Sequence, residues 1–367
     1  MRAFIDAKAF TTALNHMCKL IHRSGIPALE GVLVSFADNC CTLTGTDLTT
    51  WLTVKLPARG DEFSFVLRRP HAAAKACRYF DGELTLELHE TRTEKHKEEE
   101  FKAVLSCGQR SGEFDTFPAK DYPELPERKD AVSFTVNAAA LLKRVERVKY
   151  AVRTPQGPYD RADQTCVQFS GNDVFCLDGL RAACDTDASL TFPKPFMTWG
   201  KSLAYLRLMG DSETLVQVDE RHVWFSTDTV EICCRREGVD TFHLAAAVPK
   251  TFQEAFYVNP DEFLRELAYM KGFIQSKKAG HVRFCGGQML LCGVSNRCGT
   301  EVQIEGRSEI PVGFSLHLME DALKQFKGEP FVKMKISSSV SPIILEAEGR
   351  SDFALVCPSR LGKAAAA

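Results

Sequence analysis

An α+β protein of three tandem domains, each with two helices packed on antiparallel sheet, is what this chain of 367 residues predicts. Length frames the prediction, because a chain this long exceeds what one ordinary core serves and suggests two or three domains. Two internal repeats then set the number at three. One is an amphipathic helix pattern that recurs from Phe4, Phe134 and Phe256. The other is an Ala-x-x-x-(Phe/Leu)-x-Gly pattern that follows each copy of the first.

The first helix of each copy starts at a residue whose side-chain oxygen can accept a free backbone N–H: Asp6, Asn137 and Asn259. Apolar residues then recur at identical offsets in all three. They are Phe10, Leu14, Met17 and Ile21; Leu141, Val145, Val148 and Val152; and Phe263, Leu267, Met270 and Ile274. Steps of four, three and four give one buried helix face. The second pattern reads Ala76, Phe80, Gly82, then Ala204, Leu208, Gly210, then Ala322, Phe326, Gly328. Each glycine suits a left-handed helix terminus. Each is followed by an alternating strand: ELTLEL, TLVQV and FVKMKI. The six helices are expected over 7–23, 69–80, 137–152, 195–209, 260–275 and 318–328. The remaining apolar runs, such as GVLVSFADNCCTLTGTDLTTWLTVKL and VEICCRRE, read as antiparallel strands, and Gly286-Gly287 as a hairpin turn. Polar, proline-containing joins at DYPELPERKD and around Pro249 divide the chain into domains 1–128, 129–251 and 252–361, with a tail at 362–367. The charged run from Glu90 to Glu100 reads as a solvated hairpin tip.

Composition excludes several classes. With 44% hydrophobic and 26% charged residues the chain is neither disordered nor fibrous, and no apolar run approaches the ~18 residues that span a bilayer. The N-terminal stretch lacks an apolar signal core, so a cytoplasmic location is expected and no membrane partner. The 14 cysteines form no C-x-x-C pair and mostly lie in strand-like runs, as buried thiols do. No nucleophile elbow, HExxH or phosphate loop appears, so neither enzyme activity, nor a metal, nor a cofactor is expected.

Charge is segregated. The whole chain is −2, yet the six predicted helices together carry +10 and everything else −12. Helices sharing one surface would attract a polyanion there and repel it elsewhere. Such phosphate contacts are salt-sensitive and blind to sequence.

Local strings carry a family resemblance. LTGTDL at Leu43–Leu48, FPAKDYPELP at Phe117–Pro126, Asp178-Gly179-Leu180-Arg181-Ala182 and the closing LVCPSRL at Leu355–Leu361 resemble, in order and spacing, the bacterial DNA polymerase III beta subunit, the sliding clamp. The resemblance runs from Phe4 to Leu361. It implies the DNA clamp fold and a head-to-tail homodimer ring, with helices lining a hole that encircles duplex DNA. It also implies a processivity factor: a non-catalytic subunit of a DNA polymerase holoenzyme that tethers the replicative polymerase.

The resemblance places duplex contacts at basic helix and loop residues Lys8, Arg23, Lys75, Lys143, Arg144, Arg147, Arg153, Lys201 and Arg207. It places a pocket for polymerase and clamp-loader peptides at Leu177, Gly179, Leu180, Arg181, Phe242, Ala247, Leu355, Cys357, Pro358, Ser359 and Arg360. Phe273 and Ile274 would meet a partner edge near 101–117, although Ile274 also belongs to the repeated core stripe. The chain departs from the family at Leu180, where a histidine is usual, at Ala182, and at Cys357 and Ser359, where methionines are usual. Those departures keep open a clamp paralogue, for example of a mobile element, serving other partners. A monomeric, non-specific DNA-binding module is the third reading.

Overall fold

The computed structural model describes residues 1–91, 100–155, 157, 160–238, 240–274, 280–292 and 298–360. The centre of the charged run at 92–99 and the tail at 362–367 lie outside them.

All three predicted caps form. Asp6 accepts the Ala9 N–H at 2.7 Å, Asn137 that of Ala140 at 2.8 Å and Asn259 that of Glu262 at 2.9 Å. The helices of the described residues are α1 (Ala7–Leu20), α2 (Pro70–Cys77), α3 (Ala138–Val148), α4 (Ala162–Thr165), α5 (Gly200–Leu203), α6 (Pro260–Lys271) and α7 (Leu316–Lys324). In α1, α3 and α6 the first three stripe positions are at most 1% exposed, from Phe10 through Met270. Burying each such side chain contributes roughly 1.5–3 kcal/mol. The fourth position lies past the helix end every time. Ile21 and Val152 have extended backbone, and Val152 and Ile274 are only partly buried.

The second pattern is also wired alike three times. Gly82, Gly210 and Gly328 have φ of 92°, 62° and 86°, a left-handed turn that side chains resist. The strand after each glycine pairs antiparallel with the strand that leads into the first helix. Glu83–Thr91 pairs with Arg2–Asp6, Glu213–Val218 with Val132–Asn137, and Val332–Ile336 with Glu254–Val258. One expectation fails here. Residues 195–198 are not helical but end the strand Phe192–Thr198, which pairs with Val167–Gly171. Pro193 and Pro195 hold that stretch extended. The helix starts at Gly200 and tightens into a 3₁₀ turn at Ala204–Met209. Gly286-Gly287 forms the expected two-residue hairpin turn.

Two compact units emerge: Met1–Ala140 with Lys201–Arg236, and Leu141–Gly200 with Glu237–Ala367. The expected middle domain thus contributes to both, because sheets run through the joins. In the first unit, strand Thr50–Gly60 pairs on one side with Cys40–Thr46 and on the other with Val230–Arg235. In the second, Arg181–Thr186 pairs with Asp173–Leu177 and with Asp352–Val356. These two lines of pairing, within the first and second unit respectively, are called the first and second seam below.

Candidate nucleic-acid and peptide interfaces

At the second seam a tight turn connects Leu177 to Arg181. The Asp178 carboxylate accepts the N–H groups of Leu180 and Arg181 at 2.8 and 2.9 Å, and Gly179 supplies the positive φ of 91°. This turn lifts Leu180 into solvent at 60% exposure. The chain end docks beside it, with Cys357 N–H donating to Leu180 C=O at 2.8 Å and Ser359 N–H to Gly313 C=O at 2.8 Å. The Ser359 hydroxyl also meets His281 Nδ1 at 2.9 Å.

Beneath the turn lies an apolar cluster. Leu177 and Leu355 belong to its buried part, and half-buried Phe242 and Cys357 pack against it. The structure therefore brings these four expected pocket positions together, with Leu180 beside them. Ala247, Pro358 and Ser359 are half-buried and Arg360 exposed. Arg181 is different. Its guanidinium is bound by Asp178 at 2.9 Å and by Asp321 on α7 at 2.8 Å, over the Tyr150 ring. It positions the turn. The Cys357 thiol is pushed up by burial and by Asp178, so it is a small hydrophobe rather than a nucleophile.

The basic residues fall into three groups. Arg23, Lys75, Lys143 and Arg207 present exposed side chains, Arg207 bonding its own helix at Ala204 C=O. Lys8, Arg153 and Lys201 are also solvent-facing but sit beside Asp81, Asp160 and Asp47. Arg144 and Arg147 depart from the expectation. Arg144 is 5% exposed, donates to Asn172 C=O at 2.8 Å and to Asp185 C=O, and faces the Asp185 carboxylate. Arg147 reaches Asp185 at 3.0 Å and Asp352 at 3.7 Å. Arg144 points inward and the partly exposed Arg147 leans over the same carboxylates, because the face of α3 that carries them packs on strands whose buried acids demand a counter-charge.

Arg23 and Lys75 meet in a cleft that Arg68, Arg69, His22 and His71 also line. Its Glu30 is occupied by the Ser24 and Gly25 N–H groups. Sequence counting missed Arg68, which lies one residue before the predicted helix. On α1, burial, and after it the charges of Lys19 and Arg207, hold the His16 imidazole below its ordinary value. Phe273 and Ile274 pack, partly buried, against the core of their own unit. In the expected partner edge, Glu100–Cys107 has strands on both sides, whereas Arg110–Pro118 meets Phe63–Leu67 only over Thr116–Pro118. Nine of the 14 cysteines are buried, among them Cys77, Cys166 and Cys184, whose thiols burial pushes up to about 12.

Residues 1–126 match the family described as DNA polymerase III beta subunit, N-terminal domain. The beta sliding clamp of Salmonella typhimurium is 22% identical, over 96% of this chain and all of the relative. That of Chlamydia pneumoniae is 23% identical over 92% of each. Among solved structures, DNA polymerase III subunit beta from Pseudomonas aeruginosa matches with a TM-score of 0.84 at 18% identity, covering 98% of this chain and all of the other. The beta subunit from Thermotoga maritima matches at 0.81 and 22%, with the same coverage.

Proposed function

From its place as a distant, full-length homologue of the DNA polymerase III beta subunit, we propose that this chain is a DNA sliding clamp. Two chains, head to tail, close a ring around duplex DNA. Domains 1–128, 129–251 and 252–361 supply six repeats to that ring. The beta sliding clamps are non-catalytic processivity factors, and this chain makes and breaks no bond. It keeps a polymerase on its template by topology.

The observation that carries the reading is the second seam. There an exposed Leu180, an apolar cluster and a docked chain end stand together at the positions where the family takes peptides. Buried apolar anchors dominate the binding energy of short peptides. Polymerase and clamp-loader peptides are the occupants of this site. Exposed Arg23, Lys75, Lys143 and Arg207 are the phosphate contacts, held loosely enough to slide and independent of base sequence. Arg144 and Arg147 hold the fold and are not part of that set. The dimer contact runs from Phe273 and Ile274 to the open part of Arg110–Pro118. No helix of the described residues is long and apolar enough to cross a membrane.

Loading tests this. The protein is placed on nicked circular DNA with a matching clamp loader, and the DNA is then cut. A ring stays on circles and runs off linear DNA. Equal loss from both, with an established clamp behaving normally in parallel, overturns the reading. The paralogue reading is favoured by Leu180, Ala182, Cys357 and Ser359. It predicts ring behaviour together with weak binding of peptides from the host's main polymerase.

A further inference from the structure

The two seams share one turn. At the first, Asp47 accepts the N–H groups of Thr49 and Thr50 at 2.9 and 2.8 Å; at the second, Asp178 accepts those of Leu180 and Arg181 at 2.8 and 2.9 Å. Asp47 N–H donates to Thr50 C=O at 3.2 Å, and Asp178 N–H to Arg181 C=O at 3.1 Å. Each turn has one residue with positive φ at the same place: Leu48 at 66° and Gly179 at 91°. The strand that follows receives a neighbour in the same register, with Arg235 N–H on Thr49 C=O and Cys357 N–H on Leu180 C=O. The turns, and the three strands behind each, are therefore equivalent residue by residue.

The filling of this row differs at all three positions, and most in size at the first. Behind the first turn, Trp51 lies opposite Cys233, and Cys233 opposite Trp224. Behind the second, Ala182 lies opposite Leu355, and Leu355 opposite Ile344. Where the second seam has a methyl group, the first has an indole only 7% exposed. The indole N–H groups of Trp51 and Trp224 are both buried without an acceptor among the described residues. That is a poor choice for stability alone, since buried donors are normally bonded.

We propose that the first seam is a shut copy of the ligand site at the second, and that Trp51 is the side chain that shuts it. Each chain then offers one site for an apolar peptide anchor instead of two. The inference rests on the peptide reading of the second seam. Replacing an indole by a methyl group vacates the space of an aromatic ring, and apolar cavities of about 150 Å³ hold benzene-sized ligands.

The experiment is a calorimetric titration of the full chain with a pentapeptide bearing leucine and phenylalanine anchors. The wild type is expected to bind one peptide per chain, Trp51→Ala two, and Ala182→Trp at least tenfold more weakly than wild type. Circular dichroism restricts the comparison to folded variants, with Trp51→Leu as the milder opening. Free indole is expected to raise the Tm of Trp51→Ala and leave that of wild type unchanged, a readout that does not depend on any peptide. A folded Trp51→Ala or Trp51→Leu with one site and no response to indole overturns the proposal, as does an Ala182→Trp that binds like wild type. A wild type that binds no peptide overturns the reading of the second seam instead, and the indole response still decides whether Trp51 fills a site-shaped space.

Discussion

Behind the first turn the side chains of Thr50 and Ser202, each 1% exposed, share a hydroxyl–hydroxyl bond of 2.6 Å, and Lys201 reaches Asp47 at 2.9 Å from a side chain 58% exposed. At the far end of the second seam, where the first pairs Val54 with Val230, Arg144, Arg147 and Arg350 converge on Asp185 and Asp352, carboxylates that are 1% and 5% exposed and lie opposite each other in register. The backbone solution is the same and the side-chain chemistry is not. Losing a member of a neutral hydroxyl pair, or of an ion pair whose lysine is solvated, leaves no stranded buried charge and costs less. Breaking a buried charge network costs more, because the survivor is left without its partner in low dielectric.

The sharpest break of this comparison is Asp185→Ala. It strands Arg144, and the expected cost is about 3–5 kcal/mol, read as a shift in the urea midpoint. Replacing Asp185 and Arg144 together by apolar residues is expected to restore part of that loss, which separates stranded charge from lost packing. Next come the caps that open the repeated helices. Asp6→Ala, Asn137→Ala and Asn259→Ala are each expected to cost about 1 kcal/mol, a near-equality that unequal seams do not disturb. Lys201→Ala is expected to cost about 0.2–1 kcal/mol and to lose its effect in high salt, since the lysine is solvated. Its pH dependence has a definite sign. Burial opposes ionisation of Asp47, but hydrogen bonds from Thr49 and Lys201 prevail and hold its carboxyl below the ordinary 3.8. The stability it contributes is present above about pH 4 and is lost as pH falls through the lowered value. Lys201→Ala should shrink that acid-side loss in thermal melts. The smallest effect is on DNA. Arg23→Ala and Lys143→Ala should each reduce the slope of log affinity against log salt by about 0.9, with little change in folding. An equal slope change in Arg144→Lys would contradict the inward placement of that residue.

What sequence could read, and what it could not, follows from how local the determining physics is. Caps at Asp6, Asn137 and Asn259, and the glycines at 82, 210 and 328, act within a few residues, so their pattern names them and the structure keeps all six. The meeting of Leu177 with Leu355 and Cys357 was reachable only through the family resemblance, because nothing in DGLRAA or LVCPSR alone declares that they share a sheet. Arg144 and Arg147 were misplaced for the same reason. On α3 they look like Lys143, and only strands that carry Asp185 and Asp352 reveal which way they turn. The start of the helix near residue 200 failed because apolar Phe196 and Met197 serve a strand as readily as a helix. Arg68 was missed, and Arg69 was counted in a basic helix without being placed beside Arg23, because the cleft is made by two separate segments.

The long reach of the second seam has a consequence for biosynthesis. Strand Arg181–Thr186 waits for Asp352–Val356, about 170 residues later. At roughly 5–20 residues per second, a ribosome supplies that partner some 10–30 seconds after the waiting edge has left the exit tunnel. Until then Asp185, and the arginines that neutralise it, stand beside an unfinished sheet. A nascent chain in that interval is a natural client for a chaperone, and synonymous codons that slow translation between 186 and 352 would lengthen its exposure.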